Sequence, residues 1–510
     1  MYTASENTAT IAIVLIAIGI LGWGYYRAKP FGKLGILAWL QSVSLMTPWL
    51  IFFGLFAAGI YINLASILFL LAGSAGLYIF LGNRLRKASL DQALRERLEA
   101  MLKSKDQPAP AGEKAAEEAV GSGEREIQAT GIRNGVQPEV VPMPAADLKT
   151  IQSIFGVDTF FATESIPYQE GAIFKGNLRG EAQAVRDRLS AALLERLGER
   201  YRLFLVASPE GKPTVIVLPG SNDPQPLAVG QKVLAAVLVL ATIASSLETG
   251  GLLLGFDFFE NTSRLAEVLP VSAGMWAVLL AHEIGHQIVA RGHNVRFSWP
   301  FFIPTWQVGS FGALNRFESL LPNRQVLFDV AFAGPAAGGL VSLGMVLVGL
   351  LLSGEGSLFQ IPAEFFQGSV LVGTLAKVVL GEALQKPVVN LHPLAVIGWL
   401  GLVISALNLM PAGQLDGGRI VQAIYGRKIA GGATVATLIV LAIVSLFNPL
   451  ALYWAIVILF LQRNLERPCL NDLTEPDDAR AALGLLALFL MVATLMPLTP
   501  GLAGRLGIGG

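Results

Sequence analysis

The sequence predicts an all-α polytopic membrane protein that carries a small α+β water-soluble domain. Hydrophobic residues make up 53% of the 510-residue chain and charged residues only 15%, whereas soluble globular chains carry about 25% charged residues. Mean hydropathy is +0.58. The charges are also segregated. Residues 1–83 hold four (Glu6, Arg27, Lys29 and Lys33), and residues 91–150 hold nineteen.

A helix crosses a hydrocarbon core of about 30 Å with about 20 mostly apolar residues. The first such stretch is 9–26. Two more fit within 34–81, with a tight turn near 61–63 and Pro48 either kinking the second or shifting its start. Arg27, Lys29 and Lys33 precede the second span, and Arg84, Arg86 and Lys87 follow the third. Basic short loops favour the cytoplasmic side, so the N-terminus is expected outside. Residues 1–10 lack the basic start of a cleaved secretory signal, and the first stretch reads as a retained anchor.

The character then changes. Leu94, Leu98 and Leu102 give residues 90–103 one apolar helical side, and 104–145 is an aromatic-free stretch of linker composition. Strands are expected at 201–206 and 213–218 about a turn at Glu210-Gly211, with a helix over 177–197 ending before Gly198. The second apolar block predicts spans at 229–251, 269–290, 326–352 and 391–411, a hairpin within 431–461 turning near Asn448-Pro449, and a last span at 481–498. The expected organisation is a three-span region (1–89), a charged flexible linker (90–147), a soluble domain on the cytoplasmic side (148–227), a membrane core (228–465) and a tail with the last span (466–510).

Several function classes are excluded. The chain balances 37 basic against 37 acidic residues, without the positive footprint of nucleic-acid binding. A single cysteine, Cys469, rules out an intrachain disulfide framework and a thiolate-only metal cluster. The stretch Gly176-Asn177-Leu178-Arg179-Gly180 lacks the glycine pattern and the Lys-Ser/Thr pair of a phosphate loop, so no nucleotide is expected.

The sharpest motif is His282-Glu283-Ile284-Gly285-His286 inside an apolar segment. Residues i and i+4 share a helix face, so both imidazoles can reach one Zn2+, while Glu283 can hold and deprotonate a water that the metal activates. Only four histidines occur in the chain, and two occupy this spacing. Ionisable groups within a span are costly and usually functional. A catalytic zinc commonly takes three protein ligands. Asp416 is the candidate third: the chain breaks at Pro411 and reaches Asp416 among small residues. On the residues alone, the lesser alternative is an ordinary juxtamembrane turn capped by Asp416.

These two segments, HExxH in an apolar helix and a distant N-x-x-P-x-x-x-L-D-G, resemble the site-2 protease family of intramembrane zinc metalloproteases. The resemblance implies a site-2-protease-like membrane core, with His282, His286 and Asp416 as ligands of one zinc per chain and Glu283 as the base. Gly176–Gly180, the Gly309-Ser310-Phe311-Gly312-Ala313 stretch and 408–419 further resemble the plant and cyanobacterial ethylene-dependent gravitropism-deficient and yellow-green group. A short N-terminus without an obvious transit peptide suggests a cyanobacterial homologue, in plasma or thylakoid membrane.

Around the metal, Pro300 and Pro304 oppose a regular span in 300–316, while Gly309, Ser310 and Gly312 permit a re-entrant or extended segment. It is either an edge that pairs with an unwound substrate, as the resembling family implies, or an interfacial loop. Asn408 is expected to contact a substrate carbonyl or the oxyanion, or else to brace the break at Pro411. The stretch 334–339 offers small surfaces for helix packing. The expected partners are a transmembrane protein substrate and the lipid bilayer. Two other classes are a transporter, which would show the internal repeat that this chain lacks, and a non-catalytic membrane chaperone or scaffold with a structural metal site, which would be expected to lack Glu283 or a ligand.

Overall fold

The structure, a computed structural model, describes residues 21–57, most of 70–85, and 143–508 apart from 169, 209, 306 and 307. The chain divides into two compact units, Met1–Pro138 with Ile439–Val457 and Glu139–Leu438 with Ile458–Gly510. In the first, helix α1 (Gly32–Ala57) carries Pro48 without ending there. Most of the expected first span, much of the third, the amphipathic stretch 90–103 and nearly all of the linker lie outside the described residues.

The second unit opens with the α+β domain: α2 (Ala145–Gln152), β1 (Phe160–Tyr168), β2 (Gly171–Leu178), α3 (Ala182–Leu197), β3 (Tyr201–Ala207) and β4 (Pro213–Pro219). The strands form one antiparallel sheet in the order β1-β2-β4-β3. The helix expected from residue 177 starts later, because Leu178 pairs with Phe160 and Gly180 turns the chain at φ +123°. The Glu181 carboxylate then accepts from the Gln183 and Ala184 N–H groups and starts α3.

Val185, Leu189, Leu193 and Leu197 repeat every fourth residue and bury one face of α3 against Phe174, Leu203, Leu205, Val215 and Val217. Each such side chain stabilises by roughly 1.5–3 kcal/mol. Beneath the sheet, Asp147 accepts from the Tyr201 hydroxyl at 2.8 Å and pairs with Arg200 at 3.0 Å.

The free edge of β3 is continued by a segment from near the C-terminus. Leu205 N–H donates to Leu470 O and Asp472 N–H donates to Leu205 O, both at 2.9 Å. The opposite side of this segment donates to Leu321 O (2.8 Å) and Pro322 O (2.9 Å). Asn471 is fully buried there and donates to Gln183 Oε1 at 2.8 Å. Residues 470–472 thus stitch the soluble domain to the membrane core.

That core comprises α4 (Val229–Leu253), α5 (Leu265–Gly292), β5 (Phe301–Thr305), β6 (Gly309–Leu314), α6 (Arg324–Leu351), β7 (Phe359–Pro362), α7 (Val370–Leu380), β8 (Val388–Leu391), α8 (Pro393–Asn408), α9 (Asp416–Val444), α11 (Asp478–Leu495) and α12 (Pro500–Leu506), with α10 (Pro449–Val457) in the first unit. Five helices among the described residues, those containing α4, α5, α6, α9 and α11, are long and apolar enough to cross a membrane. The chain is therefore a multi-pass membrane protein with a small sheet-containing domain.

Two details differ from the pattern of apolar runs, and a third agrees with it. Residues up to Leu391 pair as the β7–β8 hairpin, leaving α8 with 16 residues where a span over 391–411 is expected. The basic group 419–428 is helical, broken only at Gly426 (φ 81°). Between α9 and α10, the turn expected near Asn448-Pro449 is present, and Asn448 Oδ1 accepts from Leu450 N–H.

Candidate metal centre

Helix α5 presents His282 and His286 one turn apart, both buried. Across from them, α8 ends at Asn408, the chain turns through 409–415, and Asp416 opens α9. The turn closes because Gly413 adopts φ +51° and Gly417 packs directly on the Leu409 carbonyl. Asp416 is thereby returned to the level of the two imidazoles.

The donor atoms converge. His282 Nε2 lies 3.2 Å from Asp416 Oδ2 and 3.2 Å from His286 Nε2, and His286 Nε2 lies 3.4 Å from Asp416 Oδ2. Bonds of about 2.0–2.1 Å to a tetrahedral zinc place two ligands roughly 3.3 Å apart. Two imidazole nitrogens and one carboxylate oxygen, all buried, form a cluster able to hold a metal ion. His286 Nδ1 sits 2.7 Å from Val330 O; that carbonyl holds the proton on Nδ1 and leaves the Nε2 lone pair facing the cluster. From His286 to the helix end at Gly292 is roughly 9 Å at 1.5 Å per residue.

Helix α6 shapes the pocket wall with small residues. A β-carbon on Gly334 would overlap the His286 imidazole, and one on Gly338 would sit 3.0 Å from His282 Cβ. Gly285 on α5 similarly faces Ala333 O, where a β-carbon would come within 2.6 Å. The expected close helix packing at 334–339 is what brings α6 onto both imidazoles.

Strands β5 and β6 pair as an antiparallel hairpin, with Phe301 opposite Leu314 and Thr305 opposite Gly309. Phe302 packs with Leu279 of α5 and Ile404 of α8, fixing the hairpin to the core. Its two strands make a separate sheet among the described residues. A cavity of about 450 Å3 lies along β5, lined by Leu234, Phe301, Pro304, Asn315 and Gln414 among others.

Gly309, Ser310 and Asn408 belong to this hairpin region. Gly309 adopts φ +76° and its carbonyl accepts from Ser245 Oγ at 2.5 Å. Ser310 Oγ accepts from Gly312 N–H and lies 3.1 Å from Ile303 O, inside the hairpin. Asn408 Nδ2 donates to Phe311 O (3.3 Å) and Ile404 O (2.9 Å). A contact between Asn408 and a substrate carbonyl therefore requires that this amide leave one of them.

Three further groups adjoin the site. Glu283 Oε2 accepts from Asn315 Nδ2 at 2.7 Å. Arg419, fully buried, donates to Asn315 O (2.6 Å) and to Glu466 Oε2 (3.0 Å), and its Nη1 lies 3.7 Å from Asp416 Oδ1. Arg419 adjoins the LDG motif, but Asn315 and Glu466 stand in no motif. Their partners are 32 and 47 residues away.

Comparison with known proteins agrees with this geometry. Residues 149–226 match the EGY3 middle domain and residues 270–447 match Peptidase family M50. A protein named probable zinc metalloprotease EGY1, chloroplastic, from Oryza sativa subsp. japonica is 36% identical over 410 residues, covering 72% of this chain and 70% of its own. The chain belongs to the M50/EGY zinc metalloprotease family. Its Arabidopsis thaliana relatives include a probable EGY1 (37% identical; 71% of this chain, 73% of the relative) and a probable zinc metallopeptidase EGY3 (32% identical; 70% and 66%). No solved structure matches the chain.

Proposed function

We propose that this M50/EGY protein is a zinc-dependent intramembrane endopeptidase that hydrolyses peptide bonds in or near transmembrane segments of membrane proteins. The observation that carries the reading is the buried convergence of His282, His286 and Asp416 from two apolar helices. In this reading the three side chains hold one zinc per chain. Zinc held there supplies a Lewis acid and brings the ionisation of water near neutrality.

The remaining chemistry belongs to the chain. Glu283 accepts the proton of the attacking water and returns it to the departing amine. The open edge of the β5–β6 hairpin takes a locally unwound substrate segment by main-chain hydrogen bonds, with Gly309 and Ser310 shaping its far end. Asn408 holds β6 against α8.

Arg291 lies in the last turn of α5, Arg463 and Arg467 precede α11, and Arg480 lies in its first turn. Basic short loops support a cytoplasmic placement of the metal end and of the soluble domain. The likeness to relatives named as chloroplastic supports a photosynthetic cell, with its thylakoid or plasma membrane as the site. A transporter or an inert scaffold has no use for a glutamate next to a ligand histidine.

The test is cleavage of a transmembrane substrate by purified wild type and Glu283→Gln, with bound zinc measured in both. The proposal expects equal zinc and hydrolysis only by the wild type. Equal cleavage by both would remove Glu283 from the chemistry.

A further inference from the structure

The geometry points to Asn315 as a positioning residue for Glu283, held in register by the buried Arg419–Glu466 pair. This deepens the proposed function and rests on Glu283 acting as the base.

A glutamate carboxylate turns easily about its last bond, because terminal sp3–sp2 torsions are broad and roughly two-fold. A base that must meet one water needs that rotation fixed. Asn315 Nδ2, 2.7 Å from Glu283 Oε2, fixes one carboxylate oxygen and so directs the other. Asn315 Oδ1 is buried and has no hydrogen-bond partner, an arrangement that costs stability. Among the described residues, Glu283 alone orients this amide.

Asn315 needs its own anchor, since it stands just beyond β6, where strand pairing has ended at Leu314. Arg419 supplies it through the 2.6 Å bond from Nη2 to the Asn315 carbonyl. The guanidinium is held along its Nε–Nη2 edge by Glu466 Oε2, 3.0 Å from each nitrogen, and covered by the Phe317 ring, 5.0 Å to its centroid. Arg419 is 2% exposed and Glu466 is 6% exposed. Buried ion pairs are weak sources of stability, and apolar replacements of equal volume are often as stable. What this pair does supply is a fixed point. It ties the exit of the hairpin to the first turn of α9, three residues beyond Asp416.

The test uses the purified full-length chain with a transmembrane substrate, reading kcat, KM and bound zinc. The variants are E283Q, N315A, E466Q and the N315A/E466Q double substitution. N315A is expected to keep its zinc and its KM while kcat falls about 10–100-fold. E466Q loses less, and the double variant is no worse than N315A alone, because Glu466 acts through Asn315. Wild-type kcat in N315A, a kcat loss matched by zinc loss, or losses that multiply in the double variant would overturn the positioning role. Should N315A not fold, N315D reads the same way: reduced kcat with zinc retained supports the role, and wild-type kcat overturns it. Wild-type cleavage by E283Q would remove the base, and the positioning role with it.

Discussion

Gly334 lies so close beneath the His286 imidazole that a β-carbon there would occupy the space of the ring. The helix carrying the two histidines and the helix covering them therefore meet through a residue without a side chain. A substitution at 334 must displace His286 or separate α5 from α6.

Gly334→Ala should lower zinc affinity by about 10–100-fold, the range for groups that orient a ligand. Gly339→Ala serves as the control, since a β-carbon there meets nothing within 4 Å. Zinc titration of the two purified variants checks this. Equal affinities would mean that α6 adjusts freely around the imidazole.

Gly312→Ala should damage the hairpin without emptying the metal site. Gly312 adopts φ +94°, and its β-carbon would stand 2.6 Å from Asn408 Nδ2. Backbone strain of this kind costs about 1–3 kcal/mol. Cleavage should fall while bound zinc stays at the wild-type level, and measuring both on one preparation separates hairpin from metal.

The site was unevenly legible in the sequence, for a physical reason. His282, Glu283 and His286 share one helical turn, so local spacing alone displays them. Asp416 depends on a break at Pro411 that returns the chain, and its pattern acquires meaning only beside the histidines. Asn315 and Glu466 look like ordinary polar residues at segment ends, because what defines them is contact across 32 and 47 residues. The fold follows the same rule. Long apolar helices announce themselves, whereas β7 and β8, four residues each, are too short for periodicity to show.

Asn471→Leu should loosen the soluble domain from the core. The side-chain amide donates to Gln183 and Thr474, and Asn471 Oδ1 accepts from the Leu473 and Thr474 N–H groups. Leaving such buried groups unpaired costs about 1–3 kcal/mol. Limited proteolysis should then cut more readily within 466–478, whereas an unchanged rate would mean that the pairing to Leu205 suffices alone.

Alkaline pH should weaken the α+β domain through Tyr201. Burial, reinforced by the hydrogen bond to Asp147, pushes its phenol up to about 12 from the usual 10. The folded chain thus holds this proton more tightly than the unfolded chain. Its contribution is complete below pH of about 10 and is lost as pH rises toward about 12. Thermal unfolding of the full chain at pH 9 and 11 (trial values of roughly one unit either side of the usual 10) should show a drop that Tyr201→Phe reduces.

The central claim is that three side chains from α5 and α9 hold one zinc ion, and metal analysis of purified protein tests it most directly. Wild type should carry close to one zinc per chain, with His282→Ala and Asp416→Ala each losing most of it in parallel with cleavage. Full zinc occupancy in Asp416→Ala, with hydrolysis intact, would contradict the account.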